Sequence, residues 1–184
     1  LISVGKGVTC AGNPLLVELG QLPVTSLGGS LDLHENAALK DLSAFSKLTT
    51  VAGFVTIEGN SAIEDLSGLS SLKAVTDFVH IGGNQSLKTL QGLGALETVG
   101  GYIKISLNPV LADLGQFPSL ISVAGSIEIL ENDFLATVQG IEALNSLGEG
   151  VYVVGNAGLQ ALSGFSSIEA FGTALVIADN PSLA

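Results

Sequence analysis

Asparagine returns along this chain at Asn13, Asn36, Asn60, Asn84, Asn108, Asn132, Asn156 and Asn180, once after 23 residues and then six times after 24. So regular a period points to a stack of like units, each able to bury its apolar side chains only against its neighbours, in place of one globular core.

The residues around each asparagine explain what one unit does. Five positions before it stands Val8, Leu31, Val55, Val79, Ile103, Ile127, Val151 or Leu175, and three before it Cys10, Leu33, Ile57, Ile81, Ile105, Ile129, Val153 or Ile177. That alternation is a β-strand with one face inward. Leu or Ile follows three residues after the asparagine, and Leu or Val six after, as in Leu39 and Leu42 or Ile63 and Leu66. A turn at the asparagine therefore leads into a second buried edge. A third apolar pair closes the coil, from Leu48 and Val51 through Leu72 and Val75 to Ile168 and Phe171. The glycine steps Gly28-Gly29 and Gly100-Gly101 follow such pairs and suit a sharp corner. The chain is thus expected to be all-β: a leucine-rich-repeat-like β-solenoid, or β-helix, of about eight 24-residue coils, forming one repeat domain over 1–184. At a strand spacing of ~4.8 Å the stack is roughly 36 Å long. Each asparagine belongs to an internal ladder, its amide bonding turn backbone and the amides of adjacent coils.

Hydrophobic residues make up 47% of the chain and charged ones only 12%, which suits a thin solenoid whose positions mostly face inward. Six lysines, no arginine and 17 acidic residues give a net charge of −11, which argues against nucleic acid and anionic lipid as partners. No apolar run approaches the ~20 residues of a membrane span, and no basic-then-apolar leader opens the chain. Leu1 and Ala184 both fall in mid-coil without a polar cap. The expectation is a segment of a longer array, its end coils covered by flanking repeats or by another copy. Cys10, in an inward column, is expected to be a buried apolar filler.

The best-preserved units, Val51-Ala-Gly-Phe-Val-Thr-Ile-Glu-Gly-Asn60 with Ile63 and Leu66, and Val99-Gly-Gly-Tyr-Ile-Lys-Ile-Ser-Leu-Asn108 with Leu111 and Leu114, resemble the receptor L-domain repeat and are similar to BspA-type leucine-rich repeats. The resemblance implies an extracellular, non-catalytic solenoid of the kind found in receptor ectodomains, fungal cell-wall glycoproteins and microbial surface proteins. With one cysteine the chain lacks the disulfides of the animal receptors, so a cell-surface or cell-wall protein fits better.

Several outward positions are candidates for recognition. Phe54, Phe78 and Tyr102 share a column in three consecutive coils, with Tyr152 in the next outward column. Such aromatics serve either to hold a glycan or partner protein or to cover a corner through cross-strand contact. Leu130, Val154 and Val176 are apolar where earlier coils carry polar residues, which suggests an assembly face. Glu18, Asp41 and Asp65, with Asp113 beyond, form an acidic column that is either a solvated face or a weak Ca²⁺ site, and Glu131-Asn132-Asp133 is a second acidic cluster. His34 and His80, in different columns and without a carboxylate or Cys partner at ligand spacing, are not expected to bind metal. Asn84-Gln85-Ser86 matches a glycosylation sequon but is expected bare, because Asn84 belongs to the ladder.

No cofactor is expected, nor an enzyme: the coils are nearly equal, no inserted loop builds a groove wall, and nothing separates the acidities of a carboxylate pair such as Asp41 and Asp65. The expected function is a structural or adhesive extracellular module that assembles with copies of itself or flanking repeats through its ends or faces, into a filament or surface layer. The alternative is a recognition module that binds a protein or glycan on the aromatic column.

Overall fold

A computed structural model describes residues 2–169 and 172–184; Phe171, placed above in the third apolar column, lies outside them. Eight strands, one per coil, form a single parallel sheet: Val8–Ala11, Leu31–His34, Val55–Glu58, Val79–Gly82, Ile103–Ser106, Ile127–Leu130, Val151–Val154 and Leu175–Ala178. Neighbouring strands pair without slippage, so that Val55 stands beside Val79, Val79 beside Ile103, and Ile103 beside Ile127. A second parallel sheet of seven strands, among them Val24–Leu27 and the two-residue strands Thr50–Val51 and Thr98–Val99, closes the opposite side. The chain is a β-solenoid; among the described residues the helical turns are two short 3₁₀ segments, Ser43–Phe45 and Ser67–Leu69.

The core is the space between the sheets. Leu33, Ile57, Leu39, Ile63, Leu48 and Leu72 are fully buried, each stacked on the like residue of the next coil. β-Branched residues dominate the inward strand positions because their stiff side chains pack well on a pleated surface. The core columns open at Leu175 and Ile177, which are 48% and 44% exposed because no described strand lies beyond theirs. Cys10, in the first coil, is half-buried and packs against the core, its Sγ 3.5 Å from Asn36 Oδ1.

The asparagines make a directional ladder. Asn84 accepts the backbone N–H of Asn60 on its Oδ1 at 3.0 Å and donates its Nδ2 to the Ile57 carbonyl at 3.0 Å, both groups in the preceding coil. Its own backbone N–H goes to Asn108 Oδ1 at 3.1 Å. The pattern runs from Asn13 to Asn180, and Asn36 through Asn156 are wholly buried. Asn84 therefore has no free amide hydrogen to offer the sequon.

Two features of the corners differ from expectation. The Gly28-Gly29 and Gly100-Gly101 steps do not need a left-handed backbone; the glycine is required by proximity, since a Cβ on Gly100 would lie 2.0 Å from the Thr76 carbonyl oxygen. The left-handed residue is instead the one immediately before each asparagine: Gly12, Glu35, Gly59, Gly83, Leu107, Glu131, Gly155 and Asp179 all have φ between 53° and 72°. Leucine is costly there because its Cβ crowds the following carbonyl, by ~1–2 kcal/mol.

Replacing Asn84 by Ala strips partners from the buried Asn60 N–H and Ile57 carbonyl and is expected to lower unfolding free energy by about 2–4 kcal/mol in urea titrations. A loss below about 0.5 kcal/mol would remove the ladder from the account of stability. Leu107→Gly is expected to do the opposite and raise stability by about 1 kcal/mol, read as a higher urea midpoint.

Candidate interaction surface

The candidate recognition groups are carried by outward side chains of the eight-stranded sheet, by its flanking corners and by the turns after the asparagines. Phe54, Phe78 and Tyr102 stand at the corner entering that sheet, half-buried, with ring centroids 4.9 and 4.7 Å apart and planes within 5°. That spacing is the coil-to-coil repeat, so the parallel rings follow directly from strand register. Ser30 precedes them in the column, its Oγ accepting the Phe54 N–H at 3.2 Å. Because the rings lie face to face, a bound sugar would meet their edges along the stack, which suits cross-strand cover better than a stacking platform. Burial, then the nearby Glu128 and Asp77 carboxylates, raise the Tyr102 phenol above its usual range. Tyr152 does not join the stack. Its ring leans over Gly150, where a Cβ would come within 3.1 Å of Cε2.

The acidic column performs a local task. Asp41 Oδ1 accepts the Ser43 N–H at 2.7 Å and Asp65 Oδ1 the Ser67 N–H at 2.8 Å, which caps the turn that follows each. Glu18 pairs with Asp41 across adjacent coils through backbone only. Among the described residues no three His, Cys, Asp or Glu side chains are grouped to hold a metal ion.

Each histidine has one carboxylate neighbour. Asp32 and His34 are two apart on one strand, hence on the same face, and Nδ1 of His34 lies 2.8 Å from Asp32 Oδ1. This bond, followed by the Coulombic attraction of Asp32, outweighs desolvation and raises the His34 pKa. His80 lies over Gly82, with Nδ1 4.0 Å from Glu58 Oε2 and Nε2 3.4 Å from Ser106 Oγ. Desolvation by burial is its largest influence and lowers its pKa.

Further along the sheet the surface turns apolar and acidic. Leu130, Tyr152 and Val154 form with Glu128 and Glu131 an open groove of about 320 Å³. Val176, in the last strand, stands beside Tyr152 and outside this groove. A second groove of about 480 Å³ runs over the asparagine turns of the fourth to seventh coils, lined by Leu107, Pro109, Glu131 and Asp133 among others. Glu131 belongs to both. Strand alternation marked Leu130 and Val154 as outward; the left-handed turn that carries Leu107 and Glu131 beside them had no residue signature, because two of its eight positions are glutamates and one a leucine.

No family model, curated protein or solved structure matches the chain. Among the described residues no helix is long and apolar enough to cross a membrane.

The two histidines are expected to titrate on opposite sides of 6.5, His34 above and His80 below, in NMR spectra of their ring protons. The signs oppose in stability too. Protonated His34 stabilises the fold below the unfolded-state value and loses that contribution as pH rises through its folded pKa; His80, held neutral, costs stability as pH falls below 6.5. Asp32→Asn should return only His34 towards the ordinary value.

Proposed function

We propose that this chain is a non-catalytic structural or adhesive module of an extracellular protein, of the leucine-rich-repeat-like kind, which assembles by continuing its own stack into a filament or surface layer. The supporting observation is the uniform parallel register of the eight-stranded sheet, whose outer strands Val8–Ala11 and Leu175–Ala178 each keep one edge without a described partner. An edge strand of this kind is a template for a further parallel strand. The ladder makes that addition directional. Asn180 lies at one end with its Oδ1 already accepting from Asn156, so whatever coil follows has to present an acceptor to the Asn180 backbone N–H, as an asparagine in the same column does.

Polarity of this sort favours head-to-tail contacts, which propagate and do not close as a two-fold dimer would. The extracellular setting rests on the resemblance of the repeat to receptor L-domain and surface-protein repeats. The turn-capping role of Asp41 and Asp65 and the equal coils support a scaffold in preference to an enzyme. The mutually covered ring faces of Phe54, Phe78 and Tyr102 favour assembly over glycan recognition on that column.

Negative-stain electron microscopy and light scattering of the chain are expected to give linear, end-to-end oligomers that lengthen with concentration. Ile177→Lys, which places a charge in the open core column, should reduce them to monomers. Discrete monomers of the unaltered chain at every concentration, or oligomers indifferent to that substitution, would rule out assembly through the coil ends.

A further inference from the structure

The charges of this chain are unevenly placed. All six lysines and both histidines lie at or before Lys104, whereas residues 105–184 hold Asp113, Glu128, Glu131, Asp133, Glu142, Glu149, Glu169 and Asp179 and no basic residue. Carboxylates in the later coils therefore have almost nothing within the chain to neutralise them. Lys104, the nearest lysine in sequence, stands opposite Glu128 on the neighbouring strand yet forms no ion pair with it, and Glu128, Glu131 and Asp133 have no ion-pair partner among the described residues.

These three carboxylates border the two grooves that meet at Glu131. Between them lie apolar side chains: Leu130 and Val154 on the sheet, and Leu107, 54% exposed, on the turn. Leu107 is held in a left-handed conformation where four other coils carry glycine. An exposed leucine kept at a strained position is an outlier with no role in the core, and such strain gathers where a surface is used.

We propose that this acid-bordered groove over the fifth to seventh coils is a docking surface for a basic, partly apolar segment of another protein. Lysine or arginine side chains of that segment pair with Glu128, Glu131 and Asp133, and its apolar residues cover Leu107, Leu130 and Val154. Charge complementarity selects this occupant. A second copy would bring its own carboxylates to the same face, and two of the chain's few lysines, Lys73 and Lys88, are already paired with Glu97 and Glu64. Tyr152 offers a ring against which a cation can rest. The docking surface is separate from end-to-end stacking: Ile177 lines neither groove, so Ile177→Lys is expected to remove stacking without substituting a groove residue.

The test uses ¹⁵N-labelled chain carrying Ile177→Lys, titrated with a short blocked peptide of alternating lysine and leucine. Saturable shifts are expected at Leu107, Leu130, Glu131 and Val154, with no response to the glutamate–leucine counterpart. Glu128→Gln with Glu131→Gln should weaken binding about tenfold, the loss of two partly exposed charge pairs. Asp41→Asn with Asp65→Asn changes net charge equally while keeping an oxygen to cap each turn, and should weaken it far less. Leu107→Gly should weaken binding although it stabilises the fold, an outcome that loss of structure cannot mimic. Equal weakening by the two acidic pairs, shifts scattered over other faces, or the same response to the glutamate peptide would each overturn the proposal.

Discussion

A primary amide buried in an apolar core is tolerable only if its donors and acceptor are all engaged, and the asparagine column meets that demand by bonding to the coils on both sides: backbone groups of the preceding coil and the amide oxygen of the following one. Asn60 donates its Nδ2 to the Leu33 carbonyl and accepts the Asn36 N–H on its Oδ1; Asn84 repeats this one coil on. The geometry closes only when successive coils are aligned in one register. Displacing a strand by one residue would leave these buried groups unpaired as well as turning its apolar face to water. The in-register core columns and the parallel rings of Phe54, Phe78 and Tyr102 are consequences of that alignment.

The same interaction shapes the outside. To turn its side chain inward, each asparagine is preceded by a left-handed residue, which lifts that residue onto the surface. Where the position is glycine the turn is bare. Where it is Leu107 or Glu131 the turn carries a side chain into the grooves beside the sheet. Internal hydrogen bonding and the character of the exposed edge are thus coupled, and variety at one tolerant backbone position changes surface chemistry while the core stays constant.

Electrostatics divide the molecule further. In the early coils carboxylates meet lysine or histidine, as in Lys88 with Glu64 and His34 with Asp32, and several act as caps. The later coils have acids without bases. The scaffold thus has a first half whose acids are partly compensated by lysine and a second half whose acids are not.

By itself the sequence determined the fold, because a solenoid repeats in space what it repeats in the chain: the period, the alternation before each asparagine and the inward columns were all readable, and Leu33, Ile57 and Leu72 are buried where they were placed. Outward positions such as Leu130 and Tyr152 were legible for the same reason. Only the tertiary structure decided what depends on angles or on closeness between coils. Glycine at the Gly100 corner answers to the Thr76 carbonyl in the coil beneath, the left-handed position is shared by glycine, glutamate, aspartate and leucine, and the aromatic faces are closed by one another. The contact of His34 with Asp32 belongs to strand geometry, which brings residues two apart to one face, and not to metal-ligand spacing. The joining of the two grooves at Glu131 required the fold, since residues 24 apart in sequence become neighbours only once the coils are stacked.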